Sequence, residues 1–358
     1  MSSYQQLKYL KEAAARSING AFQTFLSNEI SIPKWTRSLA SESQIHLREF
    51  LVDESKKDIT FPRILQSEDC DFIGGSFARH TKVKPLDDID IYFPLDGYNL
   101  QVVKDGIIQP IKVISDNVLD NNPILNPEWM VGNYVSSYNI INGFFERLKR
   151  HYPDSVIKLD GQAVSVQFKK GSTDPSGDDG IGFDIVPCFH LVPHDGSQDY
   201  YFIPDGKNGW ISSNPRLDTK ISEYLNDFSD TYRKVVRLIK YWNDQQYESR
   251  MKSYYIELAV AEIYIRYSRE GKKINSISEG FELGFKHLST CLYYGQLGPP
   301  LKIAPLVSAS DNQIIDYLKT QEVLKLIKNA RCWEQMGREQ NAIDEWRKVF
   351  GPSFPSSQ

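Results

Sequence analysis

The spacing of apolar residues changes near residue 210, and that change limits the folds that this chain can adopt. Before it, short runs rich in β-branched and aromatic residues alternate with turn residues, which is typical of strands. After it, apolar residues recur every three or four positions almost throughout, which indicates helices. The sequence therefore predicts an α/β protein of the α+β type. Its predicted lobes are residues 1–210, including N-terminal helices, and a helical lobe at residues 211–358.

Five strands and several helices are predicted within this division. The strands lie at residues 70–75, 88–95, 155–159, 163–168 and 180–191. In the first lobe, helices are predicted from residue 4 to about residue 52, broken before Pro33, and at residues 138–152. In the second lobe, they are predicted around residues 232–243, 254–267, 282–294, 312–330 and 342–350. Residues 171–180, rich in Gly, Ser and Asp, predict a loop.

Composition and charge exclude several classes of protein. Of 358 residues, 41% are hydrophobic and 25% are charged, so the chain is neither collagen-like nor wholly disordered. The formal net charge of −4 argues against a generic DNA-coating role. The four cysteines are far apart, without a Cys-x-x-Cys pair, and no signal-peptide or membrane-spanning segment is evident. We therefore expect a cytoplasmic protein with reduced cysteines and no membrane partner.

A glycine-rich turn, Gly74-Gly75-Ser76, follows the first predicted strand. Two glycines let the backbone approach an anion closely, and the amides of such a turn, with the start of a helix and the Ser76 hydroxyl, can bind phosphate. The same residues also form plain tight turns, and the Lys-Ser/Thr of a Walker A loop is missing. The turn alone therefore leaves both interpretations open.

Two carboxylates, Asp88 and Asp90, lie on the next predicted strand. Alternate strand residues face the same side, so both side chains are directed to one point. Like charges this close repel each other unless a cation lies between them, and carboxylate oxygens suit Mg²⁺ or Mn²⁺. This pair is compatible with a metal site and also with a solvated strand edge.

A third carboxylate, Asp184, lies within the apolar strand Phe183–Pro187, where burying an unpaired charge is costly. If this strand lies beside the Asp88/Asp90 strand, the three carboxylates can hold two metal ions. Two ions stabilise both the attacking and the leaving oxygen in phosphoryl transfer. Asp184 would also be placed as the general base for an attacking hydroxyl.

These motifs occur together in one order: the Gly-Gly-Ser turn, Asp-x-Asp twelve residues after the serine, and the later Phe183–Pro187 strand. In this combination the chain resembles the DNA polymerase beta-type nucleotidyltransferase superfamily. Within it, the chain most resembles the cGAS/DncV-like nucleotidyltransferases, bacterial synthases of cyclic di- and trinucleotide signals. The resemblance covers nearly the full length. It implies a nucleotidyltransferase core with a mixed sheet, a C-terminal helical lobe, and an active site in the cleft between them.

Two features of the helical lobe support the narrower assignment: the stretch from Arg237 to Glu257, and the ending Glu345–Pro355, which resembles the closing segment of many of these synthases. Arg233, Arg237 and Lys240 lie at helical spacings of four and three, on one flank of an apolar stripe. By resemblance, Lys240 and Ser253 contact the phosphates of the donor nucleotide, while Tyr254 stacks on its base. From the residues alone, the basic flank is also compatible with a solvated helix face, and Tyr254 with the core.

The resemblance implies that the enzyme condenses nucleoside triphosphates into a cyclic di- or trinucleotide with release of pyrophosphate. It implies that Asp88, Asp90 and Asp184 are catalytic and hold two Mg²⁺ (or Mn²⁺) ions, and that Gly75, Ser76, Lys240, Ser253 and Tyr254 bind nucleotide. ATP is the expected substrate, with GTP or pyrimidine triphosphates as further candidates. The product would be read by a separate effector in bacterial antiphage (CBASS-type) signalling. These motifs do not specify the bases, ring size, linkage, activating signal, accessory partner or oligomeric state.

Two other functions remain compatible with the sequence. The first is a nucleotidyltransferase that modifies a macromolecule, either a tRNA end or a toxin protein. An acidic pI near 5.9 and the lack of a basic stripe weigh against tRNA. The second is a catalytically idle protein that uses the cleft only to bind nucleotide. Zinc-dependent DNA sensing is not expected, because the sequence has no Cys/His cluster like that of the zinc-bearing insertion in human cGAS.

Overall fold

The computed structural model describes residues 17–65, 71–97, 100–104, 111–115, 123–168, 180–246 and 250–356. Helical residues predicted at 4–16 and nearly all of the loop predicted at residues 171–180 lie outside this part of the chain. Among the helices in these ranges, none combines the length and apolarity needed to cross a bilayer.

Within the described residues, eleven strands form one mixed sheet. The strands are β1 (Phe72–Ile73), β2 (Ile89–Pro94), β3 (Leu100–Lys104), β4 (Ile111–Ser115), β5 (Met130–Val131), β6 (Tyr134–Val135), β7 (Val156–Asp160), β8 (Ala163–Gln167), β9 (Gly182–Leu191), β10 (Tyr200–Pro204) and β11 (Trp210–Ser213). Their order is β1-β2-β9-β10-β11-β4-β6-β5, with β3 beside β4, β8 beside β9, and β7 beside β8. All five predicted strands are present, which confirms the mixed fold class.

The centre of this sheet is the parallel pair β2 and β9. Their register runs from Ile89 opposite Phe183 to Pro94 opposite Cys188. Almost every residue of β2 is buried, as expected for an apolar strand that is covered on both faces. Strand β1 flanks β2, and β8 flanks the first half of β9. The two strands that carry the predicted carboxylates are therefore direct neighbours.

The helices confirm the helical character of the second lobe. They are α1 (Ile18–Phe25), which continues as a π-helical segment (Leu26–Ile30), α2 (Lys34–Lys57), α3 (Gly75–Ala78), α4 (Ser137–His151), α5 (Pro215–Phe228), α6 (Tyr232–Asp244), α7 (Ser253–Arg269), α8 (Ile277–Tyr294), α9 (Gln313–Gln335) and α10 (Glu339–Phe350). Helix α8 begins five residues before its predicted start. Ser276 accepts a hydrogen bond from the Glu279 amide, and the Glu279 carboxylate accepts one from the Asn275 amide, which is a capping box.

Two large clusters of buried apolar side chains form the core. One packs the sheet against α2 and α4, with Phe93, Phe144 and Phe183 at its centre. The other joins α1 to the helices that follow β11, and it includes Phe22 and Trp346. The N-terminal helix α1 therefore packs with the helical cluster. The division at residue 210 remains a prediction.

Six strands were not predicted from the sequence: β3, β4, β5, β6, β10 and β11. Each has only two to five residues, and strands this short are recognised only where β-branched and aromatic residues cluster between clear turn residues, as around β1, β7 and β8. Strand β11 lies just where the helical spacing was expected to begin, and α5 follows it directly. These strands extend the sheet beyond β9 through β10.

Candidate active site

The strand pairing that the predicted triad requires is present. Asp90 on β2 is directly opposite Asp184 on β9, and Asp88 lies just before β2. Neighbouring strands are about 4.8 Å apart, so the carboxylates of Asp90 and Asp184 emerge side by side. Ser165 on β8 is opposite Asp184 on its other side, and its hydroxyl bonds the Asp184 carboxylate. The fold therefore brings the predicted acidic residues together.

The Gly-Gly-Ser turn packs directly against these carboxylates. Gly75 has a φ of +62°, which favours glycine, and a Cβ atom there would lie 1.6 Å from Oδ2 of Asp90. The backbone of α3 can reach Asp90 only because residue 75 has no side chain. Ser76 is the next residue of this short helix and is half-buried. The turn predicted to bind phosphate therefore lies against the predicted metal ligands.

Burial and mutual repulsion disfavour the charged forms of the three carboxyl groups. Burial and the nearby charge of Asp88 raise the pKa of Asp90 to about 6. Burial and the charges of Asp90 and Asp88 raise the pKa of Asp184 to about 7. Burial also raises the pKa of Asp88, although Lys82 opposes this effect. Clustered carboxylates of this kind are relieved by a divalent cation, and hard oxygen ligands fit Mg²⁺ or Mn²⁺.

Lys82 is a site residue that the sequence analysis missed. Its Nζ donates to Asp87 Oδ1 at 2.6 Å and also contacts Asp88 Oδ1. The side chain is 12% exposed. Burial alone would lower its pKa, but Asp88 and Asp87 raise it above the usual value. The only indication in the sequence was that Lys82 lies six residues before Asp88. This spacing alone does not show that the two side chains are in contact.

Lys240 is buried in an ion-pair network rather than in a solvated face. Its Nζ donates to Oε1 of Glu257 at 2.6 Å. Arg79 donates to both oxygens of Glu257, and the Thr81 hydroxyl donates to Oε2 at 2.9 Å. Burial would raise the pKa of Glu257, but Arg79 and Lys240 hold it at about 2. The sequence does not distinguish Arg79 and Thr81 from surface residues, because their partner Glu257 lies in another lobe.

The positive charge of Lys240 also affects the pKa of Asp88 in the carboxylate cluster. Burial lowers its pKa, and although Glu257 opposes this, the positive charge of Arg79 lowers it further because both cations share one carboxylate. Lys240 is close enough for its charge to lower the pKa of Asp88. A buried cation of this kind is thus placed beside the predicted metal ligands.

Ser253 and Tyr254 form the first turn of α7. Ser253 is exposed, at the positive end of a helix of 17 residues, where amide groups favour an anion. The Tyr254 hydroxyl donates to Oδ2 of Asp218 at 2.8 Å, and the Arg79 guanidinium lies 5.5 Å from the Tyr254 ring centre. The ring is half-buried rather than enclosed in the core.

A cavity of about 350 Å³ opens beside Tyr254. Polar side chains, including Ser213, Asn214 and Asp218, line one part of it, and the segment 299–308 lines another. This segment is held in place by the Ser212 hydroxyl, which donates to the Ile303 carbonyl at 2.7 Å. A mixed polar and apolar pocket of this size is typical of small-molecule sites.

Arg233 and Arg237, which share the predicted flank with Lys240, bond to other groups. Arg237 Nη1 donates to Ser31 Oγ at 3.1 Å, and Arg233 Nε donates to Ser222 Oγ at 3.4 Å. Burial and the charge of Arg37 lower the pKa of Arg237 to about 10. Arg233, Arg237 and Lys240 therefore do not share one basic surface as expected, because each side chain bonds to a different group.

Comparisons with known proteins agree with this geometry. No protein-family model matches the chain. A protein named "Probable cyclic nucleotide synthase" from Bacillus cereus (strain VD146) is 26% identical over 351 residues, which are 96% of this chain and 99% of that protein. Two solved structures of CdnC from E. coli MS115-1 are also similar, one with ATP and one in a complex with HORMA-deltaN.

Both CdnC structures have a TM-score of 0.59 and 17% sequence identity, and the match covers 94% of this chain and 98% of theirs. At this identity the structural similarity shows the fold, and it extends over nearly the whole chain. The Bacillus relative adds similarity in sequence over the same length. Over nearly its whole length the chain is thus similar to a probable cyclic nucleotide synthase and has the fold of CdnC, which agrees with the resemblance to the cGAS/DncV-like nucleotidyltransferases that its motifs indicate.

Proposed function

We propose that this enzyme condenses nucleoside triphosphates into a cyclic di- or trinucleotide and releases pyrophosphate. The observation that carries the proposal is the pairing of Asp90 with Asp184 directly against the Gly75 turn. This arrangement can join a phosphate-binding backbone to a two-ion carboxylate site. The name of the Bacillus relative, a probable cyclic nucleotide synthase, supports the same activity.

Asp88, Asp90 and Asp184 would hold two Mg²⁺ (or Mn²⁺) ions, which when bound neutralise the triphosphate and favour the ionised form of the attacking hydroxyl. One of these three carboxylates would have a second role, as a general base. Asp184, which lies directly opposite Asp90 across the β2–β9 pair, would also be placed to accept the proton of an attacking ribose hydroxyl.

The remaining site residues would bind the nucleotide. The amide groups after Gly75, with the Ser76 hydroxyl, would bind phosphate oxygens. Ser253 and the free amides of the first turn of α7 would bind phosphate from the opposite side of the cleft. Lys240, which is almost fully buried and donates to Glu257, would contact a phosphate only where the triphosphate enters next to this ion pair. Tyr254 would stack on the base, since an aromatic face binds any base.

We also propose a biological setting for the enzyme. Its cyclic nucleotide would act through a separate effector in bacterial antiphage (CBASS-type) signalling in the cytoplasm. CdnC has been solved in a complex with HORMA-deltaN. A HORMA-type protein is therefore the first accessory regulator to test.

The decisive experiment is incubation of the purified protein with all four labelled nucleoside triphosphates and Mg²⁺ or Mn²⁺. Phosphatase-resistant products are resolved by chromatography and identified by mass spectrometry. We expect a cyclic product that is lost in Asp90→Asn and Asp184→Asn. The matched control is Asp154→Asn, which removes an exposed carboxylate and is expected to retain full activity.

Two results would contradict the proposal. Full synthesis by Asp90→Asn would show that the metal assignment is wrong. Absence of a small product, with label transferred to tRNA or to a protein when a regulator is supplied, would show instead that the acceptor is a macromolecule.

A further inference from the structure

Away from the active-site carboxylates, α7 and α8 bring together three side chains of the types that bind transition metals. Glu262 lies on α7, while His287 and Cys291 lie four residues apart on one face of α8. One ligand atom from each residue lies within 4.8 Å of the other two. Glu262 Oε2 is 2.9 Å from His287 Nε2 and 3.9 Å from Cys291 Sγ.

We propose that Glu262, His287 and Cys291 bind one divalent cation of the Zn²⁺ type. Zinc bonds of about 2.0–2.3 Å in tetrahedral geometry place ligand atoms roughly 3.3–3.7 Å apart. The distances from Glu262 Oε2 to His287 Nε2 and to Cys291 Sγ, 2.9 and 3.9 Å, lie on either side of this range. Small rotations of side chains would therefore bring the three ligand atoms to bonding distance without moving either helix.

The ligand set distinguishes this site from the active site. An imidazole and a thiolate favour Zn²⁺ and related transition metals over Mg²⁺, whereas Asp88, Asp90 and Asp184 offer hard oxygen atoms alone. Three protein ligands also leave the fourth position of a tetrahedral ion to water. The site is open on one side, since the Glu262 side chain is 45% exposed and the His287 side chain 20% exposed.

Binding of a cation at this site requires the Cys291 thiol to lose its proton. Burial and the Glu262 carboxylate raise the pKa of Cys291 to about 12, so the thiol is protonated at neutral pH. Binding of the cation would release this proton, and affinity should therefore increase with pH. A cation held here would also link α8 to α7, the helix whose first turn carries Ser253 and Tyr254.

Cobalt(II) is the most direct probe, because a thiolate ligand gives it a strong charge-transfer absorption that oxygen ligands do not give. The chelator-treated full-length protein is titrated with Co²⁺ in excess Mg²⁺, which occupies the carboxylate site. We expect a thiolate band that saturates at one equivalent and disappears when Zn²⁺ is added. Zn²⁺ should also raise the melting temperature, because it binds the folded state.

Matched variants locate the site. Cys291→Ser is expected to abolish the band, while Cys332→Ser, which removes an exposed thiol on α9, should leave it unchanged. His287→Ala and Glu262→Gln keep the thiol, and each should weaken Co²⁺ binding at least about tenfold, since even indirect partners of a metal contribute 10- to 100-fold. Circular dichroism verifies that each variant is folded.

The proposal is overturned if the wild-type protein gives no thiolate band, or if the band survives in Cys291→Ser. If Cys291→Ser fails to fold, His287→Ala and Glu262→Gln decide the question, and unchanged Co²⁺ affinity in both would overturn the site. None of these results depends on nucleotide synthesis, so failure of this proposal is distinguishable from failure of the proposed function.

Discussion

Gly75 illustrates how one residue without a side chain permits the close packing of the proposed active site. Its backbone lies so close to Asp90 that a Cβ atom would overlap Oδ2 of the carboxylate. Its φ of +62° adds a second reason for glycine. The close approach to Asp90 affects the site, whereas the positive φ affects only the backbone. The two effects can therefore be separated experimentally.

Gly75→Ala is expected to abolish product formation and to destabilise the protein by more than the 1–2 kcal/mol that left-handed backbone costs a non-glycine residue. Gly196→Ala is the matched control. Gly196 has a φ of +72° but no atom within 4 Å of its Cβ position, so it pays only the backbone cost. Thermal denaturation and the synthesis assay measure both effects. Equal behaviour of the two variants would refute the close approach to Asp90.

Tyr254 combines an aromatic face with one hydrogen bond to Asp218. Tyr254→Phe keeps the ring, so the KM of this variant enzyme for ATP should stay within about threefold of the wild-type value. Tyr254→Ala removes the stacking surface, which is worth about 1–3 kcal/mol per base, so KM should rise by about 5- to 150-fold. Steady-state kinetics distinguish the variants. A larger effect in Tyr254→Phe than in Tyr254→Ala would show that the hydroxyl, rather than the ring, serves the nucleotide.

At the scale of elements, the parallel pairing of β2 and β9 concentrates negative charge. The pairing fixes the backbone of Asp90 opposite that of Asp184, so both carboxylates stay on the same face as long as the register is kept. The pKa of Asp184 is raised to about 7, well above its value in the unfolded chain. Between about pH 4 and pH 7 the folded state therefore binds more protons than the unfolded state. Stability in the absence of metal should fall as the pH rises through this window.

Asp184→Asn should consequently raise the melting temperature of the chelator-treated protein at pH 8, and the gain should shrink at pH 5.5. Each kcal/mol corresponds to roughly 2–4 °C in a domain of 150–250 residues. Thermal denaturation at both pH values provides the measurement. Addition of Mg²⁺ should stabilise the wild type more than the variant. A lower melting temperature for Asp184→Asn at pH 8 would contradict the charge repulsion.

At the scale of the whole molecule, Glu257 connects the two apolar clusters. It belongs to α7 of the helical cluster, whereas Arg79 and Thr81 follow the Gly-Gly-Ser turn of the sheet. Glu257 is 4% exposed, and Lys240 is equally enclosed. An ion pair buried to this extent is costly to break, because the remaining charges cannot reach water. This buried carboxylate therefore helps to fix α7 against the segment that follows the Gly-Gly-Ser turn.

Glu257→Gln is expected to destabilise the protein by about 3–5 kcal/mol, because Arg79 and Lys240 both lose their buried counter-charge. Glu270→Gln, an exposed change just after the same helix, provides the comparison and should have little effect. Chemical denaturation gives both free energies of unfolding. If Glu257→Gln were as stable as Glu270→Gln, the network would not hold the lobes together.

The sequence predicted the elements that bear chemistry better than their contacts. Strands β2 and β9 are long enough to be recognised, and carboxylates within apolar strands stand out, so the pattern predicted which strands carry Asp90 and Asp184. That these two strands are neighbours was only a condition in the sequence analysis, and the family resemblance supported it. The ion-pair partners of Lys240 and Lys82 could not be predicted from the sequence pattern. An ion pair between α6 and α7 depends on how two helices pack, and spacing within one helix does not report it. The same limit applies to Glu262, His287 and Cys291, which come from two helices.

The aromatic packing between α1 and the last helix has a consequence for the order of folding during synthesis. Phe22 contacts the rings of Trp346, Phe350 and Phe354, although nearly the whole chain separates them in sequence. The helical cluster therefore cannot close until the last of these residues has left the ribosome, whereas the sheet has all its strands by residue 213. We therefore expect the pairing of Asp90 with Asp184 to form before the helical cluster closes, so that the proposed metal site is assembled before the proposed nucleotide site.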